Sequence, residues 1–214
     1  VHADRVHAVQ LSDGRTIEAD AIVLAVGPAA AAKLLSGAPQ EALQGWAEAA
    51  RPVHAACLDL GLSRLTCPEA LFALGIDQPM YYSVHSASAR LAPPGGAVVH
   101  VAKYLDPDMP SAPASDERVL EELMDAVQPG WREHVVVRRF LPKMLVSNAL
   151  PTATLGGFSG RPGPAVPGVE GLFVAGDWVG PRGMLADAAM ASAEAAAEAA
   201  VRHAARPLPS TSAR

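Results

Sequence analysis

The segment Gly171–Ala193, G-L-F-V-A-G-D-W-V-G-P-R-G-M-L-A-D-A-A-M-A-S-A, is the part of the chain on which the interpretation of the rest depends. Its pattern predicts a short apolar strand at Leu172–Ala175, a turn at Gly176 and Asp177, a Gly/Pro loop, and an alanine-rich helix that begins near Met184. A carboxylate at such a turn accepts hydrogen bonds from hydroxyl groups, and the free N–H groups of a helix's first turn face electron-rich atoms. The segment therefore predicts a site for a polar cofactor.

This segment resembles the last cofactor-binding segment of the FAD-dependent amine oxidase and phytoene desaturase superfamily. In that family a strand ends on A-G-[DE]-W/H, and the following helix carries E-G-A-x-x-S-G; residues 187–193, D-A-A-M-A-S-A, stand in the second motif with alanine at both family glycines. The resemblance implies FAD as the cofactor, with Asp177 hydrogen-bonded to a ribityl hydroxyl. It also implies that Leu185 and Ala186 offer backbone N–H groups to the pyrimidine edge of the flavin.

A second segment, near the start of the chain, supports the same resemblance. The runs Val6–Leu11 and Thr16–Ala19 flank an Asp-Gly turn and predict a hairpin. The continuously apolar run Ile22–Val26 predicts a strand buried on both faces of a parallel sheet, which Gly27 and Pro28 end. The segment resembles the family's crossover into the substrate domain, where glycine permits close approach to the flavin. Taken alone, it is equally well an ordinary strand followed by a turn.

The resemblance assigns eight residues to the cofactor site. They are Gly27, Pro28, Gly176, Asp177, Trp178, Met184, Leu185 and Ala186. Two assignments stay open, because Trp178 packs either on the isoalloxazine ring or in the core, and Arg182 either adds positive charge or is a solvated loop residue. The alternative role for Asp177 is that of a turn former or N-cap.

The segments between these two motifs predict an antiparallel α+β insertion. The predicted helices and strands are Ala29–Leu35, Gln40–Ala50, Pro52–Leu62, Leu71–Leu74, Met80–Val84, Ala97–Leu105, Ser115–Val127 (N-cap Ser115) and Val135–Leu141. The predicted domains are an FAD-domain piece at 1–29, a substrate domain at 30–165, and a C-terminal FAD-domain piece at 166–206. Residues 207–214 are predicted to form a disordered tail.

The predicted fold class combines α/β and α+β: a Rossmann-like FAD/NAD(P)-binding flavoprotein fold with an inserted antiparallel-sheet substrate domain. No G-x-G-x-x-G follows a strand in the sequence, and its first residue is Val1. Family members bind the ADP half of FAD with that motif near their N-terminus. We therefore expect the chain to lack the N-terminal βαβ unit and to be the C-terminal part of a longer enzyme. Without that unit, we expect the chain to be inactive. A complete small α+β protein is the alternative.

Composition limits the partners and the setting. The net charge of -5 does not indicate a nucleic-acid partner. Cys57 and Cys67 show no metal-ligand spacing and predict reduced thiols in a cytoplasmic protein. No apolar run has membrane-spanning length, which leaves only peripheral membrane contact open.

No catalytic acid or base is evident from the sequence, and His85 and His100 are the only candidates for pocket groups. Amine oxidases of the family carry a lysine in the strand that corresponds to Val53–Leu62, and no lysine is present there. The resemblance therefore favours the desaturase branch, which oxidises apolar small molecules by hydride transfer to flavin. An amine oxidase-type enzyme is one alternative. Another is an escort protein for prenylated GTPases, which keeps the fold without flavin chemistry.

Overall fold

The computed structural model describes residues 4–35, 41–110 and 112–205. The chain forms two compact units: the first unit comprises Val1–Pro52 and Ser147–Arg214, and the second unit comprises Val53–Val146. These units divide the chain at 52/53 and 146/147, whereas the predicted boundaries are 29/30 and 165/166. The first two helices and the residues from Ser147 onward belong to the first unit. The predicted tail 207–214 lies outside the described residues. In the described part of the chain, no helix has the length and hydropathy needed to cross a membrane.

The first unit is built around a short parallel pair of strands. Its strands are β1 (Ala8–Gln10), β2 (Thr16–Glu18), β3 (Ile22–Leu24) and β9 (Leu172–Val174), and its helices are α1 (Pro28–Leu34), α2 (Glu41–Ala49) and α4 (Leu185–Ala204). The antiparallel pairing of β1 with β2 confirms the predicted hairpin. Strands β3 and β9 are parallel, with Ile22 opposite Leu172 and Leu24 opposite Val174.

The core of the first unit lies against β9, whose three residues are all buried. Its buried members come from both ends of the chain and from both short helices: Val6, Ala31, Leu35, Leu43, Val166, Val169, Leu172, Val174, Trp178 and Val179. The prediction that Ile22–Val26 is buried on both faces was wrong, because Val23 is 40% exposed and the strand ends at Leu24. Among the described residues β3 pairs only with β9, so one edge of β3 is left unpaired.

The second unit is an antiparallel sheet with one helix on it. Its strands are β4 (Val53–Leu62), β5 (Phe72–Leu74), β6 (Met80–Val84), β7 (Ala97–Tyr104) and β8 (Val135–Ser147), and its helix is α3 (Pro113–Val127). The strand order is β5-β6-β7-β4-β8. Helix α3 begins two residues before the predicted start: Ala112 is its N-cap, and Ser115 lies in its first turn.

The two faces of this sheet differ in chemistry. Leu58 and Leu60 of β4, together with Val99 and Val101 of β7, are buried in a core that includes residues of α3. Because successive side chains of a strand point to opposite faces, the polar residues between them lie on the other face of the sheet. The sheet therefore has an apolar helix-covered face and a face that carries titratable side chains.

Candidate functional site

The predicted glycines at the two strand ends are brought to one edge of the β3–β9 pair. Parallel strands have their carboxyl ends at the same edge, and open α/β sheets bind ligands there. The Ala175 N–H donates to the Leu24 carbonyl (3.1 Å), and the indole N–H of Trp178 donates to the Val26 carbonyl (3.0 Å). Gly27 and Gly176, which follow these residues in the chain, are thereby placed at this edge.

Asp177 lies at this edge and is held by Ser147, the last residue of β8, and by Asn148, which follows it. Its Oδ2 atom accepts hydrogen bonds from the Ser147 hydroxyl (2.9 Å) and the Asn148 backbone N–H (2.8 Å). Its Oδ1 atom accepts one from the Asn148 amide group (2.9 Å). The residue is only 9% exposed, so the carboxylate is a buried acceptor that connects two chain segments. It does not cap a helix, since α4 begins eight residues later.

Asn148 also explains why residue 27 is a glycine. A Cβ atom at Gly27 would overlap the Oδ1 atom of Asn148, whose amide group is bound to Asp177. Gly27 has an ordinary φ of -65°, so space rather than backbone conformation excludes a side chain at this position. Gly27 is the N-cap of α1, and Pro28 is the first residue of that helix.

Gly176 is fixed by the serine of the helix motif. The Ser192 hydroxyl donates to the Gly176 carbonyl (2.9 Å) and accepts a hydrogen bond from the Gly176 N–H (2.9 Å). Ser192 is 3% exposed and shares the buried side of α4 with Ala188 and Ala196. These small residues allow the helix to pack closely beside β9, and the Ser192 hydroxyl links the helix to the turn.

The N-terminus of α4 is exposed and has an unusual backbone. Met184 is the N-cap, and Leu185, the first helical residue, has φ of 49°. A left-handed leucine is uncommon and strained, and such residues occur mainly at functional sites. Met184 and Leu185 are 48% and 43% exposed. The N–H groups of Leu185 and Ala186 have no partner within the helix, so they are available to a ligand.

Two arginines near this terminus have different environments. Arg161 donates from Nη1 to the Gly183 carbonyl (2.9 Å), and its guanidinium lies 4.9 Å from the Phe158 ring. Burial lowers the pKa of Arg161, while attraction to Asp177 opposes the shift. Arg182 is paired with Glu194 (3.3 Å) at the surface, which favours its solvated-loop interpretation.

Trp178 is buried in the core of the first unit, which favours the core alternative for this residue. It is 2% exposed, and its ring centroid lies 5.8 Å from that of Trp46. Both rings border a cavity of about 90 Å³, which Pro28 and Arg161 also line. This cavity is largely apolar and lies within the first unit.

The two histidine candidates lie in the second unit and are close together. The ring centroids of His85 and His100 are 4.1 Å apart, and His100 is bound to Asp59. The sequence analysis did not identify Asp59, because only the register of β4 with β7 places it opposite His100.

Sequence analysis also missed Ser147, Asn148 and Arg161. The pair Ser147-Asn148 interrupts an apolar run, L-V-S-N-A-L, and this was the one signal that indicated a fixed polar position. Arg161 stands among glycines and prolines and gave no comparable signal.

Solved structures resemble this chain closely in fold and weakly in sequence. An oxidoreductase from Methanosarcina mazei has a TM-score of 0.66 and 20% identity, over 87% of this chain and 44% of that protein. Reduced UDP-galactopyranose mutase has a TM-score of 0.65 and 11% identity, over 90% of this chain and 44% of that protein. A protein from Pyrococcus furiosus has a TM-score of 0.59 and 15% identity, over 92% of this chain and 45% of that protein. The chain thus spans less than half the length of each.

The family assignment comes from the sequence itself. No curated protein matches the chain. The family described as flavin-containing amine oxidoreductase matches residues 2–201. The strand and the Gly-Asp turn described above lie within that match, as does the helix as far as residue 201. The chain therefore belongs to the flavin-containing amine oxidoreductase family, whose cofactor is FAD.

Proposed function

We propose that the protein is an FAD-dependent oxidoreductase that oxidises an apolar small molecule by hydride transfer to the flavin. The observation that carries this proposal is the position of Asp177, beside the strand-end glycines and ahead of the exposed first turn of α4. We further propose that a Rossmann βαβ segment outside this chain binds the ADP half of FAD. The two free cysteines, Cys57 and Cys67, support a reducing, cytoplasmic setting.

The chemistry of the site fits a flavin. A carboxylate oxygen accepts two hydrogen bonds, and Oδ1 of Asp177 accepts only one within the described residues. That oxygen retains capacity for a ribityl hydroxyl. The first-turn N–H groups of the exposed residues Leu185 and Ala186 are donors of the kind that the carbonyl-rich pyrimidine edge of a flavin requires.

Each part of the site has a distinct role. FAD, when bound, supplies the acceptor for the substrate hydride. Asp177 orients the cofactor chain, and the bonds from Ser147 and Asn148 hold the carboxylate in place for that contact. The partial positive charge at the N-terminus of α4 favours the negative charge that develops on a reduced flavin.

The lysines favour a desaturase-like enzyme over an amine oxidase. Strand β4, which corresponds to the family's lysine-bearing strand, carries no lysine. Lys103 is committed to an ion pair with the buried Asp116 (2.6 Å), so it is not free for catalysis. Hydride transfer to flavin requires no protein nucleophile, which agrees with the composition of the site.

The test places one negative charge at the helix N-terminus of the full-length protein. In Ala186→Glu an acidic residue enters the first turn of α4, where acids stabilise helices, so the fold should be kept. Ala114→Glu is the matched control, since Ala114 is the exposed second residue of α3 in the second unit. As a general scale, two like unit charges about 8 Å apart repel by on the order of 2 kcal/mol at an effective dielectric constant near 20. An effect of that size corresponds to about 40 mV for a two-electron couple.

We expect Ala186→Glu to lower the reduction potential of the bound flavin and to weaken FAD retention after gel filtration. Ala114→Glu should leave both quantities at the wild-type values. Equal potentials in the two variants, with FAD bound in each, would place α4 away from the flavin ring. A full-length protein that shows no flavin absorbance when purified or after addition of FAD would instead favour a non-catalytic relative.

A further inference from the structure

The polar face of the sheet in the second unit carries an aspartate–histidine pair. Asp59 of β4 and His100 of β7 are opposite each other in the antiparallel register. Their side chains meet with an Nδ1–Oδ1 distance of 2.6 Å. The neighbouring residues in each strand, Leu58 and Leu60 or Val99 and Val101, are buried on the apolar face. The pair therefore lies outside the core that stabilises the sheet.

The pairing fixes the protonation pattern of the ring. A carboxylate is an acceptor only, so Nδ1 of His100 carries the proton that it donates to Asp59. The Nε2 atom of a neutral His100 is then left with a free lone pair. The side chain of His100 is 34% exposed and that of Asp59 is 28% exposed, so a small molecule can reach the imidazole.

His85 borders this pair. Its ring centroid is 4.1 Å from that of His100, and its Nε2 atom is 3.5 Å from the Tyr81 hydroxyl. Burial and then the neighbouring His100 lower the pKa of His85, while Asp59 acts in the opposite direction. Cys57 lies on the same face, and burial followed by the charge of Asp59 raises the pKa of its thiol to about 11. Both shifts favour the uncharged forms of these two neighbouring groups.

We propose that Asp59, His100 and His85 form a general-base site for a polar small molecule that carries an acidic O–H or N–H group. The proton moves from the ligand heteroatom to Nε2 of His100, and the bonding electron pair remains on the ligand atom. Asp59 compensates the positive charge that the imidazole gains. The site lies wholly in the second unit, and neither the proposal nor its test depends on flavin binding.

The test uses diethyl pyrocarbonate on the full-length protein at about pH 8, above the ordinary pKa of histidine. This reagent transfers an ethoxycarbonyl group to an unprotonated imidazole nitrogen and releases ethanol and carbon dioxide. Mass spectrometry of the peptides gives a rate for each histidine separately. Asp59→Asn removes the carboxylate, and Asp77→Asn makes the same chemical change at an exposed residue of the second unit.

We expect His100 to react faster than the other histidines in the wild type and in Asp77→Asn. In Asp59→Asn its rate should fall several-fold while the rates of the histidines outside this site stay constant, and Asp59→Glu should restore part of the loss. An unreactive His100 in the folded wild-type protein would overturn the proposal, because a base must be accessible. An unchanged rate in Asp59→Asn would also overturn it, because a merely structural pair does not tune the ring.

Discussion

Removing the carboxylate of Asp177 tests how the first unit is held together. In Asp177→Ala three donors lose their acceptor: the Ser147 hydroxyl and the backbone and side-chain N–H groups of Asn148. A hydrogen bond to a charged group contributes roughly 1.5–3 kcal/mol. Ser147 and Asn148 are only partly buried, so water replaces part of what is lost. We therefore expect unfolding to require about 2–4 kcal/mol less free energy.

The measurement is urea unfolding of the full-length apoprotein, followed by tryptophan fluorescence and circular dichroism. Trp178, the buried neighbour of Asp177, reports on this part of the molecule. Ser147→Ala is the matched control, because it removes one donor and leaves the carboxylate with two bonds; its cost should be about 1 kcal/mol. The double variant completes a cycle that isolates the coupling between the two side chains.

The reasoning fails if Asp177→Ala unfolds at the wild-type urea concentration with an unchanged slope. That result would mean that the three hydrogen bonds contribute nothing net, and that Asp177 serves only a ligand. If Asp177→Ala lowers the free energy of unfolding no more than Ser147→Ala does, the hydrogen bonds from Asn148 contribute nothing to stability.

Two further predictions concern the second unit. Gln128 is fully buried. Its Oε1 atom accepts hydrogen bonds from the backbone N–H groups of Thr66 and Cys67, and its Nε2 atom donates one to the Tyr82 hydroxyl. Gln128→Leu should therefore lower the free energy of unfolding by about 3–5 kcal/mol, because it leaves buried groups unpaired. The measurement is the unfolding midpoint, and a decrease below about 1 kcal/mol would contradict this prediction. The lowered pKa of His85 means that the unfolded chain takes up a proton first as the pH falls below 6.5, so acid reduces stability. Between about pH 8 and pH 5.5 the melting temperature of His85→Asn should therefore fall less than that of the wild type. Equal decreases would refute a lowered pKa of His85 in the folded protein.

Local chemistry was sufficient for the order and type of most elements. An Asp-Gly pair between alternating runs specified the β1–β2 hairpin, because few other residues adopt the turn that such a hairpin needs. The run of apolar residues before Gly176 and the alanine-rich segment after Met184 specified strand β9 and helix α4. These features depend on neighbouring residues in the chain, and so the sequence predicts them.

The domain boundaries could not be obtained in this way. Helices α1 and α2 were expected to belong to the insertion, since they follow Gly27 in the chain. Their apolar residues Ala31 and Leu43 instead pack with the core around β9. Amphipathic helices indicate that a face will be buried, but the partner of that face is decided by three-dimensional packing.

The contacts within both candidate sites were likewise decided by the tertiary structure. Asn148 and Asp177 are 29 residues apart, and Asp59 and His100 are 41 residues apart. Their pairing depends on strand register and on the return of the chain to the first unit. The left-handed conformation of Leu185 is another feature that the sequence did not predict. The local rules for helix starts would have allowed a proline there. The sequence by itself determined the family, the cofactor motif and the local elements; the pairing of distant polar groups followed only from the fold, because no local rule relates residues that meet through long-range packing.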